Sequence, residues 1–372
     1  MSTIRLPGIG DYDCVGGRPL PADSAPFASR VAFAAAHVVA DPHADSTSAV
    51  DWTATLRFRH HLWSLGFGVA EAMDTAQRGM GLGWPNAREL IVRSGAEAKA
   101  VGARIACGAG TDQLSGPASL AQVLAAYEEQ VALVEEAGAQ VILMASPALA
   151  AAATSPEDYL SVYGKLLAQT REPVILHWLG PMFAPALSGY WGSADLDVAT
   201  GTLLELLRAN ASKVDGVKLS LLDADRERAL RAALPDGVRM YTGDDFNYGE
   251  LIAEGSDALL GIFDPIAPVA SAALRALDNG DTERYETLFA PTVELSRSLF
   301  AAPTYHYKTG VVFLAWLTGH QDHFLMVGGA QGARSVPHLA KVFVLADRAG
   351  LFTDPDLAVG RMKQLLSVAG LS

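Results

Sequence analysis

The sequence predicts a (β/α)8 TIM barrel with a C-terminal helical extension, and three observations lead there. Eight short apolar runs recur along the 372 residues, each followed by enough chain for a helix and two loops. The segments between them carry apolar residues at three- and four-residue spacing, as helices lying on a barrel require. From Ser271 onward the strand signal stops and only helical patterning continues.

The runs are Val31–Ala36, Gly68–Met73, Ala103–Cys107, Gln140–Ala145, Pro173–Trp178, Asp215–Leu219, Val238–Thr242 and Ala258–Phe263. They are almost continuously apolar because parallel strands are covered on both faces. Leu120–Ala137 and Thr202–Ala209 are the clearest intervening helices, and Ala148–Ala153 is a loop or a helix start. An open doubly wound sheet shares this period, and the strand count favours closure. The extension carries helices over Asp281–Phe300, Tyr305–Leu317, Val336–Ala349 and Pro355–Ala369. The first thirty residues, rich in Gly and Pro, read as an irregular arm. The expected organisation is an arm over 1–29, a barrel over 30–270 and an extension over 271–372.

Composition narrows the function. Half the residues are hydrophobic and 19% are charged, which supports a large core. A formal charge of −13, from 28 basic and 41 acidic side chains with no Lys/Arg run, argues against a nucleic-acid partner. Two cysteines, Cys14 and Cys107, make no disulfide framework and fit a reducing cytoplasm. No apolar run approaches the roughly 18 residues that span a bilayer, and no leader pattern opens the chain.

Barrel enzymes work at the C-terminal ends of their strands. The polar residues there are His37, Glu71, Asp74, Thr75, Thr111, Asp112, Ser146, His177, Lys218, Asp244, Asp245 and Asp264. Lys218 is set apart because its neighbours in Asp215-Gly-Val-Lys-Leu-Ser220 are apolar, where an ammonium is costly and a neutral, nucleophilic amine is favoured. An amine condensed with a ketone makes an iminium, an electron sink for breaking a neighbouring C–C or C–O bond. A structural lysine paired with Asp244 would show the same sequence.

The segment GVKLS resembles the sixth strand of the dihydrodipicolinate synthase / N-acetylneuraminate lyase superfamily, G-(I/V)-K. Val50-Asp51, Gly108-Ala-Gly-Thr111, Ala137–Pro147, Tyr241-Thr-Gly-Asp-Asp245, Gly261…Pro265 and Pro303…Lys308 are similar to family segments in the same order, over about residues 30–320. The resemblance implies a Schiff-base lyase, aldolase or dehydratase with Lys218 as nucleophile. It also implies no organic cofactor or metal, a small carbonyl substrate, and a homodimer or homotetramer.

Three departures shape the expected site. His177 begins His-Trp-Leu-Gly-Pro181 where the family has Y-N-x-P, so His177 becomes the candidate proton carrier. A buried histidine satisfied by a carbonyl is the structural alternative. The family's G-T-T-G-E is replaced by Asp74–Gly83, a flexible lid or a tight turn, with Thr75 the candidate substrate ligand. No basic residue lies in 182–192, so the family's carboxylate clamp cannot form there and a keto-sugar is as plausible as a keto acid. Trp178, Phe183, Tyr190 and Trp191 would then stack on sugar or simply pack. Thr111 and Asp244 complete the substrate-orienting set.

Two other classes fit the same barrel. A metal-dependent sugar isomerase or epimerase would gather His37, Glu71, Asp74, His177 and Asp244 around a divalent ion, without any local ligand motif to support it. A non-catalytic barrel would explain the departures and leave the strand-six lysine unexplained. Cys107 reads as a core residue. His320 and His323 read as surface histidines.

Overall fold

The computed structural model describes residues 2–371. Eight parallel strands close into a barrel: β3 (Ala32–Ala35), β4 (Gly68–Glu71), β5 (Ile105–Ala109), β6 (Gln140–Leu143), β7 (Val174–Leu179), β8 (Val214–Ser220), β9 (Arg239–Thr242) and β10 (Asp257–Leu260). Their order around the barrel follows the chain, with β10 returning to β3. Each falls on one of the eight apolar runs, and helices alternate with them. C-terminal helices follow over Thr282–Leu299, Tyr307–Leu317, Val336–Arg348 and Pro355–Val368. Among the described residues, no helix is long and apolar enough to cross a membrane.

Local chemistry sets the helix ends. Asp51, Ser146, Asp223, Asp281, Ser335 and Asp354 each accept a backbone N–H of the following first turn. Ser119 forms a reciprocal capping box with Gln122 ahead of Leu120–Glu136. Pro147 starts the six-residue helix Pro147–Ala152, so the Ala-rich stretch is a helix.

The irregular arm expected over the first thirty residues is corrected. Strands β1 (Ser2–Leu6) and β2 (Gly10–Cys14) pair antiparallel, Ser2 opposite Cys14 and Leu6 opposite Gly10. Ile4, Leu6 and Cys14 are buried by the alternation of the pleat. Gly8 and Gly10 take positive φ in the turn, a conformation that costs glycine little.

The chain clusters into two compact units. One holds the residues up to Phe67, Asp74–Leu82 and everything from Gly261 on; the other holds Gly68–Met73 and Gly83–Leu260. In the first unit, Asp347 anchors the hairpin. Its carboxylate accepts from Tyr12 Oη (2.7 Å), Cys14 Sγ (3.2 Å) and the backbone N–H groups of Val15 (3.0 Å) and Gly16 (2.8 Å). In the second unit the strands pair in register from β4 to β10, with an irregularity between Val174 and Ile175.

Candidate active site on strands seven to nine

On β8 the alternation of side chains puts Gly216, Lys218 and Ser220 on one face. Lys218 is 7% exposed. Its register partner is His177 on β7, while Tyr241 lies across from it on β9. His177 is fully inside, with Nε2 3.2 Å from Ser220 Oγ. Its Nδ1 is buried without a protein hydrogen-bond partner. Burial, and then the positive charge of Lys218, hold the imidazole well below the ordinary histidine range. His177 is thereby biased toward its neutral form.

Gly243 makes room for this group. Its N–H donates to Leu219 O at 2.9 Å, drawing the end of β9 against β8. A β-carbon at position 243 would overlap Ser220 Oγ, lie 2.9 Å from Lys218 Cε and lie 2.8 Å from Leu219 O. Glycine is thus required for steric reasons, and Lys218 and Ser220 share one small space.

The other expected residues have these positions. Asp244 follows Gly243, but its carboxylate is engaged by its own loop: Oδ1 accepts from the N–H groups of Phe246 (2.9 Å) and Asn247 (3.0 Å), and Oδ2 from Asn247 Nδ2 (2.9 Å). This is an Asx-type turn, so Asp244 shapes the loop that follows β9. Thr111 Oγ1 lies 2.6 Å from Ser146 Oγ, which also caps the helix starting at Pro147. The Ser146 N–H donates to Tyr190 Oη at 3.0 Å, and Tyr190 Oη lies 2.8 Å from Tyr163 Oη. Burial raises both phenols well above their usual range, so they act as neutral hydrogen-bonding groups.

Trp178 is 2% exposed and meets Trp191 edge-on. Trp191 packs in turn on Tyr159, Tyr163 and Tyr190. These rings occupy one another's faces, so the sugar-stacking surface expected of Trp178, Tyr190 and Trp191 is instead a packed aromatic cluster. Glu71 faces Ser94, whose hydroxyl donates to Oε2 at 2.6 Å, and its Oε1 accepts the Ala72 N–H. Cys107 is fully buried.

In the first unit, Thr75 Oγ1 lies 2.8 Å from Tyr307 Oη. Of the two readings of Asp74–Gly83, a lid or a tight turn, the residues up to Leu82 form a tight turn within that unit. Gln77 Nε2 donates to Met80 O (3.0 Å) and Val327 O (2.8 Å), and a β-carbon on Gly81 would lie 2.7 Å from Val327 O. His37 is bound to Asp264, whose Oδ2 lies 2.7 Å from the His37 backbone N and 2.8 Å from its Nδ1. His320 is half-buried rather than fully exposed. It stacks near His61 and Phe58, and burial with the neighbouring histidines pushes it down to about 3. Among the described residues, no three His, Cys, Asp or Glu side chains gather to hold a metal ion.

Sequence reasoning missed Ser220 and Tyr307 as site partners. Ser220 stood in the quoted motif two residues beyond Lys218, and strand alternation alone would have placed both on one face. Tyr307 carries no local signal, because its contact with Thr75 spans 232 positions.

A family model described as a protein of unknown function, DUF993, matches residues 7–371. A sequence search of curated proteins finds no match. Solved structures similar to the chain include the dihydrodipicolinate synthase from Aquifex aeolicus, at 14% identity and a TM-score of 0.67, covering 87% of this chain and 99% of that one. The chloride-inhibited enzyme of the same name from Acinetobacter baumannii, complexed with pyruvate, gives 17% and 0.65 over 87% and 100%. That from Thermotoga maritima gives 16% and 0.63 over 87% and 99%. At these identities the likeness shows a shared fold, the one the strand-six resemblance implied.

Proposed function

We propose that this chain, which belongs to the DUF993 family, is a lyase-type enzyme in which Lys218 forms an iminium with the carbonyl of a keto acid or sugar-derived ketone. The observation that carries the reading is the pairing of a buried lysine on β8 with a buried, neutral imidazole on β7. A ketone attacked by Lys218 Nζ gains a C–N bond and loses water. The resulting iminium accepts the electron pair of a neighbouring C–C bond as it breaks, or of a C–H bond as its proton is removed, leaving an enamine; in the second case the enamine pushes out a β-hydroxyl, which departs with its electron pair and a proton as water. In this reading His177 takes and returns the proton that the step requires. Thr111, at the end of β5, is the candidate for orienting substrate in the same unit.

The fold shared with dihydrodipicolinate synthases supports the general class, and one of those relatives is complexed with pyruvate. Incubation with pyruvate or dihydroxyacetone followed by borohydride reduction tests the proposal. The expected result is a mass increase on the peptide containing Lys218 with at least one of the two, absent in Lys218→Ala. A folded wild-type protein that gains no mass from either compound overturns it.

A further inference from the structure

Ser220 Oγ has a hydrogen-bond partner that a purely structural serine at a strand end does not need. The backbone of Ser220 already does the structural work, its carbonyl accepting the Gly180 N–H at 2.9 Å. Its side chain instead meets His177 Nε2 at 3.2 Å, deep in the barrel. Lys218 is near it, because the hydroxyl and Lys218 Cε both lie within 3.0 Å of the place a β-carbon on Gly243 would take. A hydroxyl offers one donor and two acceptor sites, enough to touch an amine and an imidazole together.

We infer that Ser220 is the proton relay between Lys218 and His177, a role that rests on the iminium reading above. When Nζ adds to a carbonyl, the new C–N bond leaves a positive nitrogen and a negative oxygen. Ser220 Oγ accepts the surplus proton of Nζ while passing its own to His177 Nε2, in the tautomer that carries its proton on Nδ1. The imidazolium then returns a proton, again through the hydroxyl, to the former carbonyl oxygen. One C–N and one O–H bond form, one N–H bond and the C=O π bond are lost, and no proton is gained or lost overall. The product is the neutral carbinolamine that precedes loss of water. Ser220 is a positioning and relaying residue, acting through Lys218 and His177.

The test follows two rates in each protein, with pyruvate and dihydroxyacetone as probes: exchange of the protons beside the carbonyl in D2O by NMR, and borohydride trapping by rapid quench. Ser220→Ala is expected to slow both by about 10²-fold, the lower end of general acid–base contributions, while trapping at long times still labels Lys218 fully. Ser220→Thr, which keeps the hydroxyl, is expected to recover most of the loss. The double variant with His177→Asn should be no slower than the slower single variant, because one relay is broken either way. The acid limb of the trapping rate belonging to His177 should vanish in Ser220→Ala, which a packing defect would not cause. Rates for Ser220→Ala within twofold of wild type, or losses that multiply in the double variant, overturn the relay alone. Absence of any adduct on wild-type Lys218 overturns the lyase reading and the relay with it.

Discussion

His177 couples burial to charge. Two forces disfavour its imidazolium, loss of water and then the positive Lys218 beside it. Observed by NMR of the ring, His177 is therefore expected to stay neutral as pH falls through the ordinary histidine value of about 6.5. In Lys218→Met the charge is gone and only burial remains, so the titration should move upward. An unchanged or lower titration in that variant would show that the two side chains do not face each other. Both residues were legible in the sequence, as polar types interrupting apolar strand runs. Asp244 and Trp178 were equally visible there, but their partners, Asn247 and Trp191, decide that one builds a turn and the other a packed cluster.

Among the elements, the N-terminal hairpin shows what patterning conceals. Its strands are five residues each and interrupted by Gly and Pro, so the arm resembled irregular chain. The hairpin is anchored by Asp347, 333 positions from Cys14. Hydrogen bonds to a charged group contribute about 1.5–3 kcal/mol each and are not additive, so Asp347→Ala should cost about 2–4 kcal/mol in urea unfolding. Burial and the hydrogen bond to Asp347 push the Cys14 thiol up to about 12, which makes it a poor nucleophile. Iodoacetamide should leave Cys14 unmodified in the native protein and label it in Asp347→Ala. Equal labelling of both would mean the carboxylate does not hold the hairpin closed. The turn at Gln77–Leu82 is a parallel case. Its glycines allowed a lid or a tight turn, and the close approach of Gly81 to Val327 makes that one glycine a packing requirement.

For the whole molecule, one buried and several half-buried histidines set the pH response. His61, His177, His320 and His338 are all held below the ordinary value by burial, His338 to about 4. Each is taken up neutral on folding. Below about pH 6.5 the unfolded chain binds protons that the folded one refuses, so stability should fall as pH drops from 6.5 toward 5. Glu227 has the opposite sign. Burial raises it to about 7, so its contribution is intact below pH 4.5 and is lost as pH rises through 7. Urea midpoints across pH 5–8 should therefore decline on the acid side, with the imidazoles outweighing the single carboxyl. Glu227→Gln should gain on the wild type as pH rises, by about 3 kcal/mol at most. A flat wild-type profile, or a constant offset for the variant, would contradict this assignment.

The barrel, the eight strand positions, the C-terminal helices and the lysine among apolar neighbours are legible in the chain alone. These rest on short-range rules: apolar runs, helical spacing, capping residues, and a costly charge among apolar neighbours. Tertiary structure decided which polar side chains are occupied and which face one another. Register placed His177 beside Lys218 and within reach of Ser220 Oγ, a glycine just beyond β9 leaves room for Lys218 and Ser220, and a distant helix captured the N-terminal hairpin. Such contacts depend on the relative positions of strands and helices, which local patterning cannot encode because a shift of one residue in register reverses every side chain.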